Sequence, residues 1–156
     1  MRSLLIVLVL GSVQFLCSQE QTILPKEVQI ATALIPVPEG DKETTTVYGY
    51  SPKGELVMLR EGTNNLICLC DDPKVEGISV ACYSKELEPF MKRGRELTLE
   101  GKNTKEKREI QGAEVSAGKW QMPLAPSMMY VYYGSEDAYD KQTGELSDGQ
   151  YRYVIY

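Results

Sequence analysis

The sequence predicts an α+β domain built around an antiparallel sheet of about six strands, with one to three short helices. Three pairs of segments rich in β-branched and aromatic residues are each joined by turn residues, which is the pattern of β-hairpins. The strand and helix alternation that marks a parallel sheet is missing. With 42% hydrophobic and 25% charged residues among 156, the chain has the composition of one globular domain.

Residues 1–18 have the features of a secretory signal peptide. Arg2 precedes an apolar run at residues 4–16, which is too short for the roughly 20 residues that span a bilayer, and no later segment is a candidate. We therefore expect cleavage near Ser18, a secreted or periplasmic protein and no transmembrane segment. Cys17 makes a lipoprotein the less favoured alternative, because leucine stands before it, where lipid-attachment signals usually have a small side chain.

Residues 19–43 are predicted to form an N-terminal helix and a linker, and residues 44–156 a single α+β domain. Apolar side chains recur every three or four positions between Pro25 and Pro36, as they do on one face of a short helix. Proline, glycine and charged residues then form a connector. The chain ends on an apolar strand at Tyr156, so this strand either closes the sheet or the sequence is a C-terminally truncated fragment.

Three hairpins account for the six predicted strands. Their turns are rich in proline, glycine and aspartate, the residues whose backbone preferences suit tight turns. The paired segments are residues 44–50 with 55–60, 66–70 with 78–83, and 128–133 with 151–156. The pairing of sequence neighbours favours an antiparallel sheet throughout.

The segment between the second and third hairpins is predicted to be largely helical. Apolar residues fall on one helical stripe here, and a helix is expected to begin near Pro89 and to stop by Gly101. Asn103 and Glu106 have the spacing of a capping pair that would begin another helix. The alternative for this stretch is a strand over residues 110–115.

Composition excludes several classes of site. The chain has no histidine, so a Ser-His-Asp or Cys-His nucleophile and a histidine-ligated metal are excluded. Its formal net charge of −5 makes nucleic acid an improbable partner. No cofactor motif is present, and the acidic stretch at residues 136–148 does not have the spacing of a calcium-binding loop. The sequence therefore predicts neither a cofactor nor a metal ion.

Three cysteines follow the predicted signal peptide, and in an exported protein a disulfide is expected. If the second hairpin is centred on Val75, Cys68 lies opposite Cys82 and Cys70 lies opposite Val80. The register therefore favours a structural disulfide between Cys68 and Cys82. Cys70 would then be buried or free, and a redox or catalytic role for it is the alternative.

The candidate ligand-binding residues are an arginine and four tyrosines. Strand alternation puts Tyr130 with Tyr132, and Tyr151 with Tyr153, on common faces. If the two faces adjoin and stay open, they form an aromatic platform suited to a glycan or a peptide, and otherwise the rings are cross-strand packing. Arg60, beside a tight turn, could clamp a carboxylate or phosphate, or could pair with acids nearby.

Two stretches carry a family resemblance: Leu-Arg-Glu-Gly-Thr-Asn-Asn-Leu-Ile-Cys-Leu at residues 59–69, and the segment from Val80 to Arg95. They are similar to a family of secreted bacterial proteins, like those of Bacteroidota, to which no activity is attached. Such proteins often have histidine at the position of Ser84 and continue beyond Tyr156. The resemblance implies export, and it implies no chemistry.

We therefore expect a secreted, non-catalytic binding or structural module. Its rival is a small secreted hydrolase that works with carboxylates or with the thiol of Cys70, and that hypothesis predicts a concave site around Cys70, Asp71 and Asp72. The partner itself is not predicted beyond a glycan or a peptide.

Overall fold

The structure is a computed structural model that describes residues 23–156, so the predicted signal peptide and Cys17 lie outside the described residues. The strands are β1 (Thr46–Tyr50), β2 (Leu56–Arg60), β3 (Leu66–Leu69), β4 (Ile78–Ser84), β5 (Met128–Gly134) and β6 (Gln150–Ile155). The α-helices are α1 (Lys26–Ala33), α2 (Glu88–Leu99) and α3 (Thr104–Ser116). The strands form one sheet in the order β2-β1-β3-β4-β5-β6, and the predicted α+β class is confirmed.

The sheet is mixed rather than purely antiparallel, which corrects one part of the prediction. The three predicted hairpins are present as β1 with β2, β3 with β4, and β5 with β6. β1 and β3, however, run parallel, with Val47 opposite Cys68. β2 lies on the outer side of β1 and runs antiparallel to it. The chain then crosses to the other side of β1 and reverses once more, so β3 has the same direction as β1. This pairing depends on how hairpins dock, and the composition of a single strand does not reveal it.

Helices α2 and α3 begin where proline and capping residues of the sequence predict their starts. α2 has its proline in the first turn, where the missing N–H costs no hydrogen bond. α3 begins with a complete capping box, in which Asn103 accepts the Glu106 N–H and the Glu106 carboxylate accepts the Asn103 N–H. The alternative of a strand over residues 110–115 is therefore wrong, because these residues continue the capped helix.

The core lies on both faces of the sheet. On one face, Ala33 and Leu34 at the end of α1 pack against Val47 and the buried cysteines. On the other face, Tyr83 and Leu87 are fully buried, with Met91 of α2 packed against them. The segment predicted as an N-terminal helix and linker therefore contributes directly to the core of the sheet.

A partly buried polar network fixes α2 on the sheet. The Tyr83 hydroxyl donates to the Glu88 carboxylate at 2.5 Å, and Arg95 donates to both, at 2.9 and 2.6 Å. Arg93 joins α2 to α3 through a 3.1 Å ion pair with Glu114. Arg93 and Arg95 are thus both paired with acids of the same chain. No helix of the described part of the chain has the length and apolarity needed to cross a membrane.

Candidate functional site

Four tyrosines lie together on one face of β5 and β6, and we call this surface the tyrosine face: Tyr130, Tyr132, Tyr151 and Tyr153. The register places Tyr130 opposite Tyr153 and Tyr132 opposite Tyr151. The rings of Tyr130 and Tyr153 meet edge to face with their centroids 5.6 Å apart. The rings of Tyr151 and Tyr153 are parallel to within 7°, with centroids 6.2 Å apart. The two predicted tyrosine pairs therefore form one aromatic surface.

On the tyrosine face, the residues of β6 are exposed to solvent, whereas Tyr132 of β5 is covered. Tyr151 and Tyr153 are 48% and 58% exposed, whereas Tyr130 is half-buried and Tyr132 is buried. The Tyr132 hydroxyl donates to a carbonyl of the loop before β6 at 3.1 Å, and Gly149 lies directly against its ring. Tyr132 thus supports the loop, and the other three rings are the part that a ligand can reach.

β6 is an edge strand, and within residues 23–156 no strand pairs with its outer side. Ser127 and Tyr156 exchange two backbone hydrogen bonds, at 3.2 and 2.9 Å, at one end of the ladder between β5 and β6. Such pairs alternate along an antiparallel ladder with pairs that share no hydrogen bond. The N–H and C=O groups of Tyr151, Tyr153 and Ile155 therefore point away from β5, toward the open edge.

Arg60 lies far from the tyrosines and contacts the backbone of its own chain. Its guanidinium donates to the carbonyl of Thr45, at 3.1 and 3.2 Å, and to the carbonyl of Lys42. These contacts hold the 3₁₀ helix Glu39–Thr44 against the sheet. Because β2 and β6 are the opposite outer strands, the structure does not bring Arg60 and the tyrosine face together.

The cysteines lie under α1. Cys68 and Cys82 form the expected disulfide, with their Cα atoms 4.1 Å apart. Cys70 is a free, buried thiol that donates to the carbonyl of Gln29 at 3.3 Å. Burial raises the pKa of Cys70 to about 12, and the Asp71 carboxylate adds to this rise. The thiol is therefore protonated at neutral pH, whereas nucleophilic catalysis needs a thiolate.

An open cleft of about 630 Å³ lies where α1, the turn before β4 and the loop after β5 meet. Cavities of this size hold small ligands in many proteins. Cys70 and Asp71 line the cleft, whereas Asp72 does not. The hydrolase hypothesis predicts a concave site at these three residues, and Cys70 and Asp71 do lie in a cleft. Hydrolysis itself stays a prediction.

Gln29, which the sequence analysis does not single out, builds one wall of this cleft. Its side-chain amide donates to the carbonyls of Leu24 and Tyr50, at 2.8 and 3.0 Å, and accepts the Tyr50 N–H at 2.7 Å. It thereby ties α1 to the end of β1. Because the buried face of α1 also includes the polar residue Thr32, the sequence pattern does not single out Gln29 for this role.

Asp71 is half-buried in the cleft, and one of its carboxylate oxygens accepts the N–H of Ser79 at 2.7 Å. Burial raises the pKa of Asp71 to about 6; the Ser79 N–H opposes this rise, and the carboxylates of Asp72 and Glu136 add to it. A raised carboxyl pKa in a concave site is typical of functional positions.

The raised pKa of Asp71 predicts how its replacement changes stability. The folded protein holds this proton more tightly than the unfolded chain, whose carboxyl has a pKa of about 3.9, so ionisation of Asp71 lowers stability as the pH rises from about 4 to about 6. Asp71→Asn should be more stable than the unchanged protein above pH 6 and should lose this advantage near pH 4. Urea unfolding of both proteins at pH 4, 5, 6 and 7.5 measures the difference. A difference that does not vary with pH would contradict the assignment.

Within residues 23–156, no group of three or more cysteine, aspartate or glutamate side chains is placed to hold a metal ion. The family resemblance of the sequence stays a prediction, because comparisons with family models, curated proteins and solved structures find no match to this chain. The tyrosine face, the open edge and the cleft are therefore the features of the chain that bear on its function.

Proposed function

We propose that the protein is an exported, non-catalytic binding module that holds an extended peptide by adding it as a strand beside β6. One observation carries this proposal. The open edge of β6 presents the backbone groups of Tyr151, Tyr153 and Ile155, and the side chains of the same three residues are 48%, 58% and 70% exposed. In strand addition, main-chain hydrogen bonds give affinity and the alternating side chains give specificity.

The edge of β6 lacks most of the usual features that prevent strand pairing. Proteins protect edge strands with proline, lysine, bulges or covering loops. Residues 150–155 contain neither proline nor lysine, Arg152 is their single charged residue, and their pairing with β5 runs without a register shift. At the opposite edge, the pairing of β2 with β1 is interrupted between Val47 and Tyr48. The contrast supports β6 as the edge that receives a partner.

The side chains beside this edge favour an apolar or aromatic peptide. Tyr130, Tyr151 and Tyr153 offer ring surface together with hydroxyl groups, and Met128 is 42% exposed at the end of the same face. Tyrosine suits a binding surface because a large, rigid ring is combined with a hydrogen-bonding group. A bound strand would place alternate side chains against these rings.

Proline at position 155 tests the proposal. Ile155→Pro removes an N–H that points to the open edge and leaves the ladder to β5 intact, and Ile155→Ala removes the side chain alone. Peptides selected from a random 12-residue display library on the unchanged protein provide the ligands, and calorimetry measures their dissociation constants. We expect Ile155→Pro to weaken binding at least about tenfold, since main-chain hydrogen bonds and close approach are both lost. Ile155→Ala should change binding less than about threefold.

Hydrogen exchange gives a second measurement on the same complexes. The amides of Tyr151, Tyr153 and Ile155 should exchange quickly in the free protein and slowly with peptide bound, whereas the amides of Arg152 and Val154 should already be slow. Binding that is indifferent to Ile155→Pro would overturn strand addition. If purified oligosaccharides bind instead, through Tyr151 and Tyr153 and without any effect of the proline, the ligand is a glycan and the peptide proposal is wrong.

A further inference from the structure

The cleft around Asp71 is a second site, separate from the edge of β6. Its walls come from α1, from the end of β1, from the loop before β4 and from the loop after β5. The apolar part of the lining includes Leu24, Pro73 and Ile78. Tyr50 and Tyr139 add aromatic surface. The cleft thus joins a carboxylate to apolar and aromatic walls.

The Asp71 carboxylate has no positive partner. None of the ion pairs within residues 23–156 involves it. The Ser79 N–H is a neutral donor, and no side chain of the described residues donates to either oxygen. A half-buried carboxylate without a cationic partner has lost part of its hydration, so it is stabilised by a cation that a ligand brings.

The other charges of the cleft favour a cationic ligand over an anionic one. Glu76 and Glu136 line the cleft together with Asp71. Of the two lining lysines, Lys141 is bound to Glu136 at 2.8 Å. Lys74 is exposed at the rim. Aromatic rings attract ammonium groups, and Tyr50 and Tyr139 are therefore suited to the same ligand.

We propose that this cleft binds a small organic ammonium ion, in which a primary amine pairs with Asp71 and an apolar or aromatic stem lies against the cleft walls. The proposed site binds this ligand without catalysing a reaction, and its binding does not depend on peptide binding at β6. The volume of about 630 Å³ leaves room for a ligand with a ring or a short chain.

Phenethylamine and 2-phenylethanol are the probes, because they share shape and differ in charge. At pH 7.5 and low salt, NMR titration of the protein should give a dissociation constant for the amine at least about tenfold lower than for the alcohol. Asp71→Asn should remove this preference. Asp137→Asn is the matched control, since it deletes a nearby exposed carboxylate outside the cleft lining, and it should change amine binding less than about twofold.

The pH dependence of amine binding is a further readout. Binding should weaken about tenfold between pH 7 and pH 5, because ligand capture requires Asp71 in its ionised form. The other titratable groups around Asp71 come from the end of β1, from the loop between β3 and β4 and from the loop after β5: Tyr50, Cys70, Asp72, Lys74, Glu76, Glu136, Tyr139 and Lys141. The difference between the unchanged protein and Asp71→Asn isolates the Asp71 contribution from theirs.

Three results would overturn the proposal. These are equal binding of the amine and the alcohol to the unchanged protein, unaltered amine binding by Asp71→Asn, and no amine binding up to about 50 mM, a weak-affinity limit. The first and third use only the unchanged protein, so a folding defect in the variant cannot obscure them. The Ile155→Pro variant should bind the amine normally, which separates this proposal from peptide binding at β6.

Discussion

Replacing Cys68 and Cys82 together with alanine is expected to lower the free energy of unfolding by at least about 3 kcal/mol. The disulfide closes a loop with a sequence separation of 14, and its removal lets the unfolded chain sample many more conformations. Both sulfurs are also buried in the cluster that α1 covers, so packing is lost as well. Urea unfolding of the double variant and of the unchanged protein gives the difference.

Cys70→Ala is the control for this experiment, because it removes a buried sulfur from the same cluster without opening a loop. It should cost about 1 kcal/mol. Reduction of the unchanged protein should reproduce most of the effect of the double variant. A double variant as stable as Cys70→Ala would mean that the disulfide adds nothing beyond its packing.

Gly62→Ala is expected to destabilise the protein by about 3 kcal/mol, the upper end of the usual cost of overpacking. Gly62 lies in the turn between β2 and β3, and a Cβ there would overlap backbone atoms of Thr44, Thr45 and Thr46. Backbone atoms cannot rotate aside as side chains do. The added methyl would also disturb the 3.1 Å hydrogen bond from the Gly62 N–H to the Thr46 hydroxyl.

Gly112→Ala is the matched control, since a Cβ at this exposed position of α3 would meet nothing within 4 Å. It should stabilise the protein by about 0.5–1 kcal/mol, because alanine favours a helix more than glycine does. The two alanine substitutions should therefore shift the urea midpoint in opposite directions. A Gly62→Ala variant as stable as the unchanged protein would contradict the close approach of this turn to β1.

Local signals in the sequence were sufficient for the hairpins, for the helix starts and for the disulfide. The facing positions of Cys68 and Cys82 follow from the turn between them, since register in a hairpin is set by its turn. The capping residues Asn103 and Glu106 likewise mark the start of α3 within their own segment. In each case the information lies within a few residues of the structure that it specifies.

The parallel pairing, the role of Arg60 and the cleft could not be predicted, because each depends on contacts between distant segments. Arg60 donates to carbonyls 15 and 18 residues away. The cleft combines α1, Tyr50, the residues around Asp71 and the loop that contains Tyr139. None of these segments carries a distinctive spacing of its own. Strand alternation predicts the two tyrosine pairs, but that they form one face depends on the register of β5 and β6, and which rings stay open depends on the loop before β6.

The long connection between β4 and β5 has a consequence for folding kinetics. These strands are hydrogen-bonded neighbours although the 43 residues from 85 to 127 separate them. Each hairpin closes a much shorter loop, and closing a loop loses more chain entropy as the loop lengthens. The β5 and β6 hairpin should therefore join the β1–β4 unit late and limit the folding rate. Until it does, the apolar edge of β4 stays free to pair with another unfolded chain, and aggregation competes with folding during this interval.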